Sequence, residues 1–270
     1  MNVETSKMKP IKVSFIGAGN VATHLSKALM EAGYDVVGVH TRSRASSEDF
    51  AKRCHCTIAT NMADLPVSDF YVFSIKDDAL AQVIADFGKL HRDGLCLHTA
   101  GSIPMSVFRQ HVAHYAVMYP LQTFSKARAL NFSDVPLFIE AKDEKDFEVV
   151  STLAHSISNE VIPLSSEDRK KLHLSAVFAC NFSNHCFAIA SDLLSKTNLP
   201  EHLLLPLIRE TCAKLEELPA AIGQTGPAVR YDEKVMESQL ALLGDDDLRK
   251  NIYKQMSASI HEYAMNLKKK

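Results

Sequence analysis

The run Lys12-Val13-Ser14-Phe15-Ile16, β-prone and mostly apolar, passes directly into Gly17-Ala18-Gly19-Asn20-Val21-Ala22, where a helix-period segment opens. This strand–Gly-x-Gly-x-x-Ala–helix passage constrains the fold more than any other stretch. Gly17 permits a tight turn, and Gly19 lets the backbone approach a pyrophosphate seated on the helix N-terminus. Ala22 stands where a third glycine would, still small enough for close helix–strand packing. Glycines alone are a weak signal, equally compatible with an empty turn; the strand before them and the helix after them make it specific. Gly17, Ala18, Gly19, Asn20 and Val21 are therefore candidate cofactor ligands.

The rest of the first half repeats this alternation. Strands are expected at Asp35–His40, Phe70–Ile75, Leu95–Thr99, Tyr115–Met118, Leu137–Glu140 and Val161–Leu164. Helices are expected at Val21–Ala32, Ser46–Arg53, Asp78–Leu90, Ser106–Gln110 and Glu144–Ser158. Stretches such as Tyr71-Val72-Phe73 are too continuously apolar to keep a wet face, which points to a parallel sheet covered on both sides. The class is α/β, a Rossmann-type doubly wound sheet. Beyond Pro163 the pattern is helical only. Ser165-Ser166-Glu167-Asp168 supplies a cap and an acidic first turn for a helix running to about Ser195, and further helices are expected at Pro200–Leu218, Asp232–Leu242 and Asp245–Leu267. The expected domains are residues 1–164 for the cofactor and 165–270, all-α, for substrate and dimerisation.

The second strand decides between cofactors. An NAD-binding domain places an acid about 20 residues beyond the glycines to hold the ribose 2′-hydroxyl. Here the tip reads Thr41-Arg42-Ser43-Arg44, without an acid. A guanidinium flanked by hydroxyls matches a 2′-phosphate, the alternative being a solvated basic turn. The expected cofactor is NADP, with Thr41, Arg42 and Ser43 as ligands and Ile75 and Thr99 along its path.

Ligands in such sheets lie beyond the carboxyl ends of the strands. His98-Thr99-Ala100-Gly101-Ser102 and Tyr119-Pro120-Leu121-Gln122-Thr123 end there, making His98, Ser102, Tyr119, Gln122 and Thr123 candidates to face a substrate. Tyr119 or His98 suits a proton donor or, equally, a hydrogen-bonded wall. Asp77 or Asp78 is read as the cap of the next helix. On the long helix, His173, Val177, Asn181 and His185 recur at four-residue spacing with Asn184 beside them, a polar stripe among apolar neighbours that fits either a polar cleft or a helix–helix seam. Gly226-Pro227-Ala228-Val229-Arg230-Tyr231-Asp232 is a structured turn in which Arg230 suits a substrate carboxylate or pairs with Asp232 or another surface acid.

Several classes fall away. Thirty basic and thirty-two acidic side chains among 270 residues leave no basic excess for gripping nucleic acid. No apolar run reaches the roughly 18 residues that cross a bilayer, and Met1–Lys7 lacks a signal-peptide core. Six cysteines without such a signal read as reduced thiols, with Cys180 and Cys186 in the helical core. Cys54-His55-Cys56 is too crowded for a tetrahedral metal site, so no metal is expected. These features describe a cytoplasmic protein with a small-molecule substrate, no nucleic-acid or membrane partner.

Taken in order, GAGNVA, TRS, HTAGS, YPLQTF, HLSAVFACNFSNH and QTGPAVRYD resemble the bacterial two-domain NADP oxidoreductases, whose Rossmann-like domain precedes a helical domain of unknown function. The resemblance runs from Ile11 to near the end, and the last two motifs are its most specific part. More distantly the chain is similar to the 6-phosphogluconate and β-hydroxyacid dehydrogenase superfamily and to pyrroline-5-carboxylate reductase. These relatives imply an NADP-binding first domain and a helical second domain that forms a homodimer. β-Hydroxyacid dehydrogenases carry a catalytic lysine followed within a turn by asparagine; the lysine's place falls at Asn181 and the asparagine's at Asn184. An amide orients a carbonyl but is no general acid near neutral pH. The expectation is an NADP(H)-dependent oxidoreductase acting on a small carbonyl, imine or hydroxy compound, with His98, Ser102, Tyr119, His173, Asn181, Asn184 and Arg230 as catalytic candidates. The alternative is a non-catalytic NADP-binding regulatory module.

Overall fold

A computed structural model describes residues 10–269, so the Met1–Lys7 segment lies outside the described residues. Eight strands form one sheet: β1 (Lys12–Ile16), β2 (Asp35–His40), β3 (Thr57–Ile58), β4 (Phe70–Phe73), β5 (Leu95–His98), β6 (Tyr115–Pro120), β7 (Leu137–Ala141) and β8 (Val161–Pro163). Their order is β3-β2-β1-β4-β5-β6-β7-β8, the doubly wound arrangement with two added strands. Four helices accompany them: α1 (Asn20–Glu31), α2 (Arg44–Cys54), α3 (Asp77–Gly88) and α4 (Glu144–His155). β1 is covered on both faces. Val13 and Phe15 enter one apolar cluster and Ile16 another.

The sheet is parallel from β3 through β6, but β7 runs antiparallel to β6, and β8 runs parallel to β7. The parallel pairing expected of the apolar strands holds from β3 to β6, and β7 departs from it. A parallel return needs a crossover, usually a helix, whereas β6 and β7 are joined by a loop whose only helical turn is the short 3₁₀ stretch Phe132–Asp134. The expected helix at Ser106–Gln110 is likewise a 3₁₀ turn, Met105–Phe108, closed by Gln110 in a left-handed conformation (φ 71°). β3 was not anticipated, since two residues carry no readable period.

From Ser166 onward there are helices only: α5 (Ser166–Ala176), a π-helical turn at Val177–Phe182, α6 (Ser183–Leu194), α7 (Leu205–Glu217), α8 (Pro227–Arg230), α9 (Glu233–Ala241) and α10 (Asp247–Leu267). The long helix expected to reach Ser195 is thus interrupted. The change from mixed to helical structure falls between β8 and α5, whereas the compact units divide after His185. In the unit beginning at Cys186, Arg249 pairs with Asp192 at 2.5 Å, and the Tyr231 and His261 rings meet at a tilt of 44° with centroids 4.6 Å apart. Ala228 is the one buried apolar residue of that unit among the described residues. No described helix is long and apolar enough to cross a membrane.

Candidate functional site

β1 ends in the glycine loop. Gly17 has φ +108°, and a Cβ there would sit 2.1 Å from the carbonyl oxygen of Ser74 and 2.8 Å from a methyl of Ile75. Only glycine fits. Gly19 caps α1 without offering a side-chain acceptor, and a Cβ added to it meets nothing within 4 Å. The N-terminus of α1 thus has no side-chain cap and leaves room beside Gly19, which fits a pyrophosphate. Ala18 is buried in this turn. Asn20 turns its side-chain amide to the carbonyl of Phe124 at 2.9 Å, and His24 lies 2.9 Å from the carbonyl of Ser125. The side chain of Asn20 is thereby engaged by the loop after β6. Within that loop Gln122 accepts from the amide of Thr123.

At the tip of β2, Thr41 donates its hydroxyl to the Ser43 carbonyl and lies 2.9 Å from the hydroxyl of Ser47, while Ser43 caps α2 by accepting from the Ser46 amide. Arg44 pairs with Glu48 at 2.8 Å. Arg42 is exposed and has no ion-pair partner among the described residues.

The tips of β4, β5 and β6 converge. Thr99 is buried, and its hydroxyl donates to Ser74. Ser102 donates to the carboxylate of Asp77, which sits in the first turn of α3 and does not cap it; the cap position is Lys76. The reading of Asp77 or Asp78 as a cap is therefore corrected. Tyr119 meets Nδ1 of His173 at 2.9 Å, joining β6 to α5. Gly101 makes this approach possible, because a Cβ there would lie 2.6 Å from that same nitrogen and 3.0 Å from the Tyr119 ring. Burial raises the Tyr119 phenol above its ordinary range; the guanidinium of Arg169 opposes this and the carboxylate of Asp77 adds to it. The phenol accordingly keeps its proton at neutral pH.

His98 takes the other part that its position allowed. It is fully buried, stacked 5.5 Å from Phe108, with Nδ1 accepting from the amide of Ala100. Burial, helped by the charge of Arg169, pushes its pKa down to about 3. It is a neutral wall residue beneath the tips.

α5 is held to the sheet by polar contacts. Arg169 is fully buried, 2.7 Å from Glu140 of β7 and 2.6 Å from the Ile103 carbonyl, and the Ser166 hydroxyl donates to Glu140 at 2.5 Å. Asp77, Glu140, Ser166 and Arg169 were not among the sequence candidates. Arg169 stands in an acidic first turn, where a basic residue reads as surface charge. Its four-residue spacing from His173 was the available signal.

The π turn alters the expected stripe. Over the twelve residues from His173 to His185 a regular α-helix rotates its face by about 120°; one inserted residue reduces that to about 20°. Asn181 and Asn184 are exposed, with no hydrogen-bond partner among the described residues. Arg230 is exposed too; the pairing with Asp232 is absent, since Asp232 caps α9 by accepting from Val235. Cys180 is half-buried and Cys186 exposed, so Cys186 is not the core thiol expected.

A Rossmann-like domain model matches residues 2–121, and the model of a domain of unknown function, DUF2520, matches residues 135–260. The chain is similar to a protein from Bacteroides fragilis provisionally named an NADP oxidoreductase, at 44% identity over 94% of this chain and 98% of that one, with a TM-score of 0.90. An imine reductase from Myxococcus stipitatus in complex with NADP+ is 19% identical, covering 96% and 94% of the two chains, with a TM-score of 0.63. A pyrroline-5-carboxylate reductase from Coxiella burnetii is 17% identical, covering 96% and 99%, with a TM-score of 0.58. These last two likenesses are of fold. No curated protein matches the chain. The chain belongs to the family that joins a Rossmann-like domain to the DUF2520 helical domain, together with the Bacteroides fragilis protein.

Proposed function

We propose that this protein is an NADP(H)-dependent oxidoreductase acting on a small carbonyl, imine or hydroxy compound. The observation that carries the reading is the Tyr119–His173 contact of 2.9 Å at the carboxyl ends of the strands, on the same sheet as the glycine loop. When bound, the nicotinamide supplies the hydride with its electron pair. As the substrate π bond opens, Tyr119 gives its hydroxyl proton to the substrate oxygen or nitrogen. His173 in the Nδ1–H form donates to the phenolate oxygen left behind and, being half-buried, passes a proton in from water. Ser102, oriented by Asp77, hydrogen-bonds the substrate.

Asn181 and Asn184 are proposed as further substrate contacts, supported by their exposed and unengaged amides. Arg230 offers a guanidinium suited to a carboxylate. NADP(H) is proposed over NAD(H) on the strength of Arg42, exposed beside the α2 N-terminus with no ion-pair partner among the described residues. A homodimer through residues 165–270 is proposed because this region exposes Phe178, Leu207, Leu242, Leu248 and Tyr263, each at least 60% accessible. A cytoplasmic setting agrees with six free cysteines.

The test is NADPH consumption over a panel of small 2-oxoacids, aldehydes and imines. Tyr119→Phe is expected to lower turnover by about 10²–10⁴ while NADPH still binds, and Asn181→Ala to lower turnover or substrate affinity at an unchanged melting temperature. Tight NADPH binding with no turnover across the panel favours the non-catalytic regulatory module. Light scattering checks the dimer.

A further inference from the structure

We propose that Arg169, paired with Glu140, is a positioning residue that pins α5 to the sheet one turn before His173 and so sets His173 against Tyr119. The proposal rests on the reading of Tyr119–His173 as the proton-donating pair.

The strand register supplies the geometry. Phe73, His98, Val117 and Glu140 are successive partners across β4, β5, β6 and β7, and therefore share one face of the sheet. Tyr119 lies on that face two residues further along β6, opposite Phe138, an advance of about 6.6 Å. His173 lies four residues beyond Arg169, an advance of about 6 Å along α5. The two steps match. A helix fixed at the Glu140 row by Arg169 therefore delivers His173 to the Tyr119 row, where the observed contact is 2.9 Å.

The fixing is directional. The Arg169 guanidinium divides its donors among Glu140 (2.7 Å), the Ile103 carbonyl (2.6 Å) and the Ser166 hydroxyl (3.2 Å), and that hydroxyl also accepts from the Met105 amide (2.8 Å). Apolar side chains hold a helix to a sheet about as well as a buried ion pair, whose desolvation offsets much of its attraction. What the planar fork adds is a fixed angle and register. The pair also sets the charge around the phenol. Tyr119 is faced by His173 and Arg169 from α5 and by Asp77 from α3, while Glu140 of β7 and His98 of β5 lie one row away on the same face, level with Val117. His98 is neutral, so removing one member of the Arg169–Glu140 pair leaves the other uncompensated.

The experiment follows the titration of Tyr119 in the full-length protein by NMR of ring-labelled tyrosine, with the resonance identified from Tyr119→Phe. It needs no substrate, so its outcome is separate from whether turnover is found. Arg169→Met is expected to raise the Tyr119 titration by about one pH unit, and Glu140→Gln to lower it. A role confined to structure would move both in the same direction or neither, and either result overturns the proposal. If one of these variants does not fold, the double variant Arg169→Met/Glu140→Leu removes both charges and keeps apolar packing. The nuclear Overhauser contact between the Tyr119 and His173 rings is then expected to be lost; its persistence overturns the proposal.

Discussion

The hydroxyl of Tyr119 and Nδ1 of His173 lie 2.9 Å apart across 54 residues of sequence, and the hydrogen atom that stands for a side chain at Gly101 is what lets them meet. A methyl group there would lie 2.6 Å from the imidazole nitrogen. The ring can swing aside, so Gly101→Ala is expected to fold with a loss of about 1–3 kcal/mol. Its turnover should fall with that of His173→Ala. Thermal melts compared with NADPH consumption check both halves of this expectation, and unchanged turnover would count against the pair.

The two glycines of the loop are predicted to fail differently. Gly17→Ala imposes a left-handed conformation on a side chain that also runs into the Ser74 carbonyl, so stability should fall by at least about 1–3 kcal/mol. Gly19→Ala has room and should melt like the parent. Its methyl group nevertheless occupies the approach to the pyrophosphate, weakening NADPH by about tenfold or more. Calorimetric melts and NADPH titrations separate the two cases.

Arg42 is exposed at the mouth of α2, with no ion-pair partner among the described residues. Loss of a charged hydrogen bond of about 1.5–3 kcal/mol corresponds to roughly ten- to a hundredfold in affinity, so Arg42→Ala should weaken NADPH by that factor. NADH binding should stay constant. Equal affinity of the parent protein for the two cofactors would remove the basis for the assignment.

His98 predicts a dependence of stability on acid. Its folded pKa is about 3, below the ordinary value of 6.5. Between those limits the unfolded chain binds a proton that the folded chain refuses. The stability that His98 contributes is therefore complete above about pH 6.5 and is lost as pH falls toward 3, at about 1.4 kcal/mol per pH unit. His98→Leu should remove this slope. Urea midpoints for parent and variant at a series of pH values between 4 and 7 test it; parallel curves would contradict it.

The sequence by itself determined the features that are local. Strand β1, the glycine loop and α1 are contiguous, so their spacing and small residues are legible without a partner, and the basic tip of β2 is read in the same way. The switch from alternating strands to helices is a change of period and equally visible at Ser165–Ser166. Only the tertiary structure decided which strand-tip side chains are buried in the core and which meet α5. His98 and Tyr119 end neighbouring strands and looked interchangeable, but one is stacked on Phe108 in the core and the other meets α5. Asp77 looked like a cap and Arg169 like surface charge, because the groups that claim them, Ser102 and Glu140, are 25 and 29 residues away. The reversal of β7, the π turn and the docking of α5 are settled by register and packing between distant segments, and no residue's near neighbours carry that information.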